Sequence, residues 1–459
     1  MSTPPERSGA AADTIAPMQT PQRSAEPAAG RSVLLAVAEF PPIGGGGVIR
    51  MAKLSRYLDE LGWSVTVVTS DEPLAHAVDP TLLDELPDSI RIDKVRPPFH
   101  RIGRAVTSGA KQRVARRTPL FGLLHSMRQG FRNAIAIPDR WLPWSLSVGR
   151  RYAPSRLPDA VISSGPPHSV HIGASMLARR HRIPHLIDLR DEWSLRPLTQ
   201  SRIPWRIAAE RRIERWCLHR ADALVVVSEE SRRRYAAAYP GIAHRIVVVP
   251  NGFDPEDFES IVPAERDGAV MTLGYAGSFQ VGTDVRPLLA AIGDVTRNGI
   301  GDRAVRFALA GPLLPEELDV ARASIPAHAL QIHGFMPHRE ALRLMAGWDA
   351  LCVVATDGRA SLAGKLYECL ALRKPIVVVA PDGPATRLVT ELGAGTVGEP
   401  HDAGSIRAAI LAALGMVGPD FAGASDEALA PYDRRRQAER WDRLLDGLIE
   451  RAISRSAGG

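Results

Sequence analysis

Short apolar runs alternate with longer stretches of helical periodicity along most of this chain. Ser32–Ala38 has the pattern of a buried strand, apolar residues from Val48 to Leu61 recur at helical spacing, and Ser64–Thr69 has the pattern of the next strand. Further strands of this first series are predicted at Ile90–Val95, Asp159–Ser163, His185–Leu189, Ala223–Ser228 and Ile246–Val249. Such alternation is typical of a parallel, doubly wound sheet.

The pattern starts again after a turn-rich stretch, Asn251–Asp254. A second series of strands is predicted at Met271–Tyr275, Val305–Ala310, Leu330–His333, Ala350–Ala355 and Pro375–Ala380. The sequence therefore predicts an α/β protein with two Rossmann-like domains, over 32–252 and 268–430, that face each other across a cleft. Residues 431–459 predict a C-terminal helix that could cross back to the first domain.

The composition is that of an ordinary globular protein, because 45% of the 459 residues are hydrophobic and 24% are charged. Residues 1–31 differ, because they are rich in Pro, Ala, Ser and Thr and lack the continuous apolar region of a signal peptide. We therefore predict a disordered tail and not a secretory signal. Aromatic residues make up only 5%, which argues against a protein whose main role is to stack nucleic-acid bases.

The three cysteines, Cys217, Cys352 and Cys369, lie in apolar patterns without CxxC spacing. They predict buried free thiols in a reducing cytosol. No apolar run approaches the ~20 residues that a membrane-spanning helix needs. We therefore expect a cytoplasmic protein, with a possible peripheral location at the inner face of the membrane.

The formal net charge of +6 is unevenly distributed. Residues 101–156 form a basic segment within the first domain, with twelve Lys or Arg against one acidic residue, Asp139, and a local net charge of +11. Aromatic residues such as Phe131 and Trp141 are interleaved with these bases, as in segments that bind an anionic membrane surface. A solvated helical face that packs its apolar side on the sheet is the alternative. A nucleic-acid partner is not expected, because no nucleic-acid motif accompanies the bases.

The strongest chemical motif is the stretch from Ala360 to Ala371, which is followed by a predicted strand. Gly364 at a helix start would allow backbone amides to approach an anion, and the helix dipole would add to their attraction. Lys365 and Glu368 are three residues apart and so share a helix face. Lys365 could reach a diphosphate while Glu368 accepts hydrogen bonds from ribose hydroxyls; the alternative is a surface ion pair.

This stretch resembles the donor-site helix of retaining glycosyltransferases of family 4, which have the GT-B fold, in the subgroup that reads P-G-K-L-Y-E-Y-L-A. The resemblance covers about residues 32–450, because other stretches match in the family's order: Gly44–Gly47, Ser163–His171, Asp188–Trp193, Val225–Ser228 and Val249–Asp254. It implies transfer of a sugar from a nucleotide diphosphate donor, bound by the second domain, to an acceptor bound by the first. It also implies that neither a cofactor nor a metal is needed, and the sequence agrees, with no Asp-x-Asp motif.

In the first domain, Gly45, Gly46 and Gly47 follow the first strand, so their backbone could contact the donor phosphates or the acceptor. A tight turn is the alternative for such a loop. Arg190 and Asp191 follow another strand and could bind acceptor hydroxyls or phosphate. An Arg-Asp pair that only fixes the loop is equally compatible with the sequence.

The candidate catalytic residues are His168, His171 and Lys365. The two histidines lie just beyond the carboxyl end of a predicted strand, where an imidazole could hydrogen-bond the sugar or steer the acceptor proton. Structural histidines are the alternative. Lys365 would help the diphosphate to leave.

The remaining donor-site candidates lie at strand ends of the second domain. Gly277 and Ser278 would offer amides to the pyrophosphate, as would the helix start at Gly364. Phe335 and Met336 follow a later strand, where the family holds the nucleotide base; packing alone is the alternative.

Two positions depart from the family's pattern. The family often has two glutamates eight residues apart, and Glu368 matches the second, but Ala360 occupies the first, with Asp357 nearby. A basic residue is common after the first strand of the second domain, where this chain has Thr283; Arg286 or the lysine of the donor helix could supply the charge. Both departures leave the donor sugar open.

The sequence thus predicts a retaining glycosyltransferase that builds a cell-surface polysaccharide or glycolipid from a nucleotide diphosphate sugar and a glycan or lipid-linked acceptor. The mechanism expected is front-face displacement, in which an oxygen of the leaving diphosphate takes the acceptor's proton. Two alternatives share the architecture. One is a nucleotide-sugar 2-epimerase, which needs carboxylates and a histidine around the sugar instead of an acceptor site, and the other is a non-catalytic scaffold.

Overall fold

A computed structural model describes residues 30–71, 78–96, 137–195, 203–259, 261–264, 269–279, 283–355 and 364–457. Several sequence predictions lie outside the described residues. They concern the tail over 1–29, the larger part of the basic segment, 101–136, and the positions Asp357 and Ala360.

The first domain contains a seven-stranded parallel sheet in the order β3-β2-β1-β4-β5-β6-β7. Its strands are β1 Ser32–Ala36, β2 Ser64–Ser70, β3 Arg91–Val95, β4 Ala160–Gly165, β5 His185–Leu189, β6 Ala223–Val226 and β7 Ile246–Val248. Along β1, Val33 and Leu35 face one hydrophobic core while Leu34 and Ala36 face another. Because helices cover both faces, this strand is apolar from Val33 to Ala36 and does not alternate apolar with polar residues.

The second domain contains a six-stranded parallel sheet in the order β10-β9-β8-β11-β12-β13. Its strands are β8 Val270–Ala276, β9 Ala304–Ala310, β10 Leu330–Gly334, β11 Ala350–Val354, β12 Ile376–Val379 and β13 Gly395–Gly398. The predicted α/β class with two Rossmann-like domains is therefore confirmed. Strand β13 was not predicted, because Gly395 and Gly398 interrupt its apolar pattern. A Cβ at Gly395 would lie 1.9 Å from the carbonyl oxygen of Ile376, so glycine permits the approach of β13 to β12.

Helices connect the strands in both domains. In the first domain they are α1 Gly46–Glu60, α2 Thr81–Asp84, α3 Leu142–Arg151, α4 Val170–His181, α5 Pro204–Leu218 and α6 Glu229–Ala238. The following helices are α7 Glu256–Glu259, α8 Arg286–Asn298, α9 Pro315–Ser324, α10 His338–Gly347, α11 Gly364–Ala371, α12 Pro384–Glu391, α13 Ala403–Gly415, α14 Asp426–Leu429 and α15 Arg434–Ala457.

The C-terminal helix α15 packs on the first domain, although it follows the second domain in sequence. Its residues Trp441, Leu445 and Leu448 are buried in the same core as Trp63. The indole Nε1 of Trp63 donates a hydrogen bond of 2.7 Å to Asp442 of this helix. The last helix therefore contributes apolar surface to the core of the first domain.

The two chain segments that connect the domains run side by side. The amide of Phe253 donates to the carbonyl of Tyr432, and the amide of Arg434 donates to the carbonyl of Phe253, each at 3.0 Å. A Cβ at Gly252 would lie 2.0 Å from the carbonyl oxygen of Tyr432, so only glycine fits this crossing without a shift of backbone. The crossing anchors the start of α15 at the base of the interdomain cleft.

The cysteine prediction agrees with the structure, in which Cys217, Cys352 and Cys369 are buried and not in disulfides. Among the helices within the described ranges, none is both long enough and apolar enough to cross a bilayer.

Candidate active site

The strongest candidate site is a cavity of about 470 Å³ between the two domains. It lies at the carboxyl ends of both sheets, as ligand sites do in open α/β folds, and its volume is in the usual range for a small-molecule site. The first domain contributes the loop before α1 and the side chain of Asp79. The second domain contributes the loops after β8, β9 and β10 and the start of α11.

Glycines shape the wall that the second domain provides. Gly277, at the end of β8, has a φ of +145°, and its amide donates to the carbonyl of Ala310 at 2.8 Å. Gly311 has a φ of +133°, and a Cβ there would lie 2.2 Å from the carbonyl oxygen of Gly277. Its amide donates to Gly334 at 2.7 Å, so three successive strand ends are joined by hydrogen bonds. Gly311 was not among the predicted site residues, although it directly follows a predicted strand.

Lys365 and Glu368 meet at the cavity, as their helical spacing predicts. The Nζ of Lys365 lies 2.6 Å from Oε2 of Glu368, and Nε2 of His338 lies 3.1 Å from Oε1. Burial raises the pKa of the Glu368 carboxyl, but Lys365 and His338 outweigh burial and hold that pKa well below its usual range. Glu368 is therefore a carboxylate at neutral pH. The pair is not a surface ion pair, because only 10% of the Glu368 side chain is exposed.

His338 connects this site to the first domain and was not singled out in the sequence. It begins α10 after the Phe335-Met336 loop, and its amide donates to Oδ2 of Asp79 at 3.0 Å. Its Nδ1 lies 4.0 Å from Oδ2 of Asp257. The only sequence signal was its position just after a strand end of the second domain.

Buried charges also hold the domain junction together behind His338. Lys53 of α1 pairs with Asp254 and Asp257 at 2.7 Å each and with Glu85 at 2.9 Å. Burial lowers the pKa of Lys53, but the two aspartates more than offset this and raise it. Burial raises the pKa of Asp257 above its ordinary value in spite of Lys53 and His338.

Four further donor-site candidates line the cavity in the positions expected from their strand ends: Gly277, Ser278, Phe335 and Met336. Nearly half of the Phe335 side chain is exposed, at 47%, so a planar ligand could pack on its ring. Gly364, the first residue of α11, also lines the cavity. These five residues therefore lie together with Lys365 and Glu368.

The glycine loop of the first domain is divided between two cavities. Gly45 and Gly46 line both the interdomain cavity and an adjoining cavity of about 180 Å³, whereas Gly47 and Arg190 line the adjoining one alone. A Cβ at Gly47 would lie 1.3 Å from Nη1 of Arg190, so glycine makes room for the guanidinium. Burial lowers the pKa of Arg190, and the charges of Asp188 and Asp191 act in the opposite direction. Asp191 is thus an electrostatic neighbour of Arg190, as the sequence suggested.

The structure does not bring His168 and His171 to either cavity. His171 lies in the first turn of α4 and is fully buried, with its Nδ1 2.8 Å from the hydroxyl of Ser163. Burial and the neighbouring positive charges hold its pKa well below the ordinary value, so the ring is neutral. His168 stacks on Trp193, with ring centroids 5.1 Å apart. Both rings are buried beside α4, and neither is among the residues that line these two cavities.

A different cation is present at the cavity. Arg286, considered as a substitute for the missing base at Thr283, is 76% exposed and pairs with Asp284 at the surface. Arg434 instead lines the cavity, is 8% exposed, and donates from Nε to the carbonyl of Gly252 at 3.0 Å. Sequence reasoning missed Arg434, because it stands in a run of three arginines typical of a solvated helix start.

The described residues contain no group of three or more His, Cys, Asp or Glu side chains that could hold a metal ion. The groups available at the cavity are backbone amides, two cations, the carboxylates of Glu368 and Asp79, the imidazole of His338 and an aromatic ring. This set can bind an anionic ligand that carries hydroxyl groups and a planar ring.

Comparisons with known proteins fit this geometry. Residues 45–252 match the family model described as Glycosyl transferase 4-like domain. No curated protein gives a significant match.

Three solved structures of similar fold each cover more than nine tenths of this chain. A glycosyltransferase from Rickettsia africae shares 12% identity over 92% of this chain and 99% of its own, with a TM-score of 0.58. A sucrose-phosphate synthase from Thermosynechococcus elongatus shares 14% sequence identity over 94% of this chain and 100% of its own, with a TM-score of 0.57. A putative UDP-N-acetylglucosamine 2-epimerase from Listeria monocytogenes shares 14% sequence identity over 92% of this chain and 98% of its own, with a TM-score of 0.55. At these identities the likeness shows the fold alone, a two-domain GT-B fold, and the residues that match the Glycosyl transferase 4-like model lie in its first domain.

Proposed function

We propose that the chain is a retaining glycosyltransferase that takes a sugar from a nucleotide diphosphate donor. One observation carries the proposal: the Gly277 backbone, the start of α11 at Gly364, and the Lys365 and Glu368 side chains converge on one interdomain cavity. Amides, a cation and a buried carboxylate are the groups that a diphosphate and a ribose require. The family match of the first domain supports glycosyl transfer.

In this proposal the second domain binds the donor. The base packs on Phe335 and Met336, and the ribose hydroxyls donate hydrogen bonds to Glu368, which is ionised at neutral pH because of its two basic neighbours. The diphosphate accepts hydrogen bonds from the Ser278 amide and from Lys365, because the Gly277 amide already donates to the carbonyl of Ala310.

The reaction proceeds by front-face displacement. The bond between the anomeric carbon and the phosphate oxygen breaks, and its electron pair stays on the diphosphate. The acceptor oxygen bonds to the anomeric carbon from the same face, and a diphosphate oxygen takes the acceptor's proton. Lys365 and the helix start at Gly364 stabilise the charge that develops on the leaving group, and this needs no metal ion.

The acceptor binds to the first domain, beside the glycine loop and Arg190. Gly47 keeps the Arg190 guanidinium next to the loop, where it can contact acceptor hydroxyl or phosphate groups. His168 and His171 act by fixing the adjacent loop and not by touching the sugar, since both rings are held in packing contacts.

We further propose that the acceptor is a glycan or a lipid-linked glycan and that the basic segment 101–156 docks on an anionic membrane. Helix α5 supports this, because Arg206 of α5 contacts the carbonyl of Pro138 within that segment, and Trp205 is 58% exposed. Exposed arginines continue along the same helix: Arg211, Arg212 and Arg215. Sedimentation with anionic and neutral vesicles at low salt tests this, and equal failure to bind both would contradict it.

A donor screen tests the proposed activity. A panel of nucleotide sugars is incubated with the wild-type protein, and both nucleoside diphosphate release and the sugar product are followed by NMR. We expect one donor to be consumed, with release slowed about 100-fold by Glu368→Gln and unchanged by Glu399→Gln, an exposed control. Conversion of a donor to its 2-epimer would instead show an epimerase, and no consumption of any donor would indicate a scaffold.

A further inference from the structure

Arg434 differs from the two arginines that follow it. More than half of the Arg435 and Arg436 side chains is exposed, and each lies near a carboxylate at the surface. Arg434 is 8% exposed and is directed inward at the crossing of the two connecting segments, where its Nε donates to Gly252. One arginine of the run therefore belongs to the base of the interdomain cavity.

The Arg434 side chain has one unsatisfied hydrogen-bond donor among the described residues. Its Nη1 is buried and has no hydrogen-bond partner among the residues that the structure describes. Burial lowers the pKa of Arg434, and the charge of Arg50 lowers it further, while the charges of three carboxylates, Glu368, Asp254 and Asp257, only partly oppose this. An arginine stays protonated at neutral pH even so. Such a buried, incompletely paired cation is unfavourable unless a ligand completes its contacts.

The other cation of the cavity, Lys365, is already neutralised by a carboxylate. Lys365 pairs with Glu368 at 2.6 Å, so these two side chains together contribute no net charge to the cavity. Arg434 adds a positive charge with a planar set of donors, which suits two oxygens of one phosphate better than an ammonium group does.

We propose that Arg434 binds the diphosphate of the nucleotide ligand from the base of the cavity, as a second cation beside Lys365. This rests on the proposed function, because it takes the nucleotide diphosphate as the ligand of this cavity. It also assigns a donor-site role to a residue of α15, a helix that packs on the first domain, so the donor would contact both domains at their crossing point.

Titration calorimetry and ligand-observed NMR can separate phosphate contacts from all others. Wild type, Arg434→Gln, Arg434→Lys and the exposed control Arg436→Gln are titrated with uridine, UDP, guanosine, GDP and inorganic diphosphate. We expect Arg434→Gln to weaken binding of the preferred nucleoside diphosphate by about 10- to 100-fold, the range for hydrogen bonds to charged groups. Nucleoside binding should change less than about 2-fold, Arg434→Lys should be intermediate, and Arg436→Gln should match wild type.

The outcomes distinguish this inference from the proposed function. Unchanged diphosphate binding in Arg434→Gln, or equal loss of nucleoside and diphosphate binding, overturns the role of Arg434. If diphosphates bind through Arg434 but no nucleotide sugar is consumed, the inference stands and the proposed activity fails. If the wild type binds neither a nucleoside diphosphate nor inorganic diphosphate, both are wrong.

Discussion

The ion pair between Lys365 and Glu368 should contribute measurable coupling to stability. Their atoms lie 2.6 Å apart, and the side chains are 28% and 10% exposed. A buried charged hydrogen bond is worth ~1.5–3 kcal/mol. Because Lys365 is more than a quarter exposed, solvent screens part of this, and we expect a coupling energy of about 1–2 kcal/mol.

A double-mutant cycle measures this coupling directly. The free energy of unfolding in urea at pH 7 is compared for wild type, Lys365→Met, Glu368→Gln and the double variant. The double variant should lose less stability than the two single variants together, by the coupling energy. A coupling below about 0.3 kcal/mol would show that the pair is solvated, and the description of Glu368 as a carboxylate held by Lys365 would be wrong.

Three further predictions concern the two glycine loops and a buried histidine. Gly311→Ala should lower the free energy of unfolding by about 2 kcal/mol or more, because it combines a positive φ with a contact on the Gly277 backbone; an unchanged urea midpoint would contradict this. Gly47→Ala should cost less than about 1 kcal/mol, since only the end of Arg190 must move, but it should raise the acceptor KM several-fold in a transfer assay. Burial lowers the pKa of His185 to about 4 despite the opposing charge of a nearby aspartate. Because the folded pKa is depressed, the free energy of unfolding is fully retained above the unfolded pKa near 6.5. It decreases as the pH falls towards 4, by about 3 kcal/mol in total, because the unfolded state binds the proton first. His185→Gln should therefore flatten the pH dependence of urea unfolding between pH 6.5 and 4, and an unaltered slope would refute the assignment.

Periodicity alone located most of the fold. Strand β12 is buried along its whole length and is a continuous apolar run, so the observed strand, Ile376–Val379, falls within the predicted bounds, Pro375–Ala380. Strand β13 was not predicted, because its glycines allow close approach of backbones, with Gly395 against Ile376, and bury little apolar side-chain area. Local pattern therefore identifies strands that bury side chains and misses those that bury backbone.

The donor site was largely predictable because its residues follow strand ends or share one helix turn. Lys365 and Glu368 are three residues apart, and their contact follows from helix geometry. His338 and Arg434 were not predictable, since each reaches the cavity through the packing of one domain on the other. His168 and His171 follow a strand as predicted, but the direction of their rings depends on how α4 packs on β4, which the local pattern does not give.

The rate of nucleoside diphosphate release from the preferred nucleotide sugar, with its acceptor present, tests the central claim most directly. Wild type should release the diphosphate and form a glycoside with the donor's anomeric configuration, as read by NMR. Glu368→Gln should be about 100-fold slower, and Glu399→Gln should match wild type. Equal rates for wild type and Glu368→Gln, or diphosphate release without a retained glycoside, would contradict the proposed donor site and reaction.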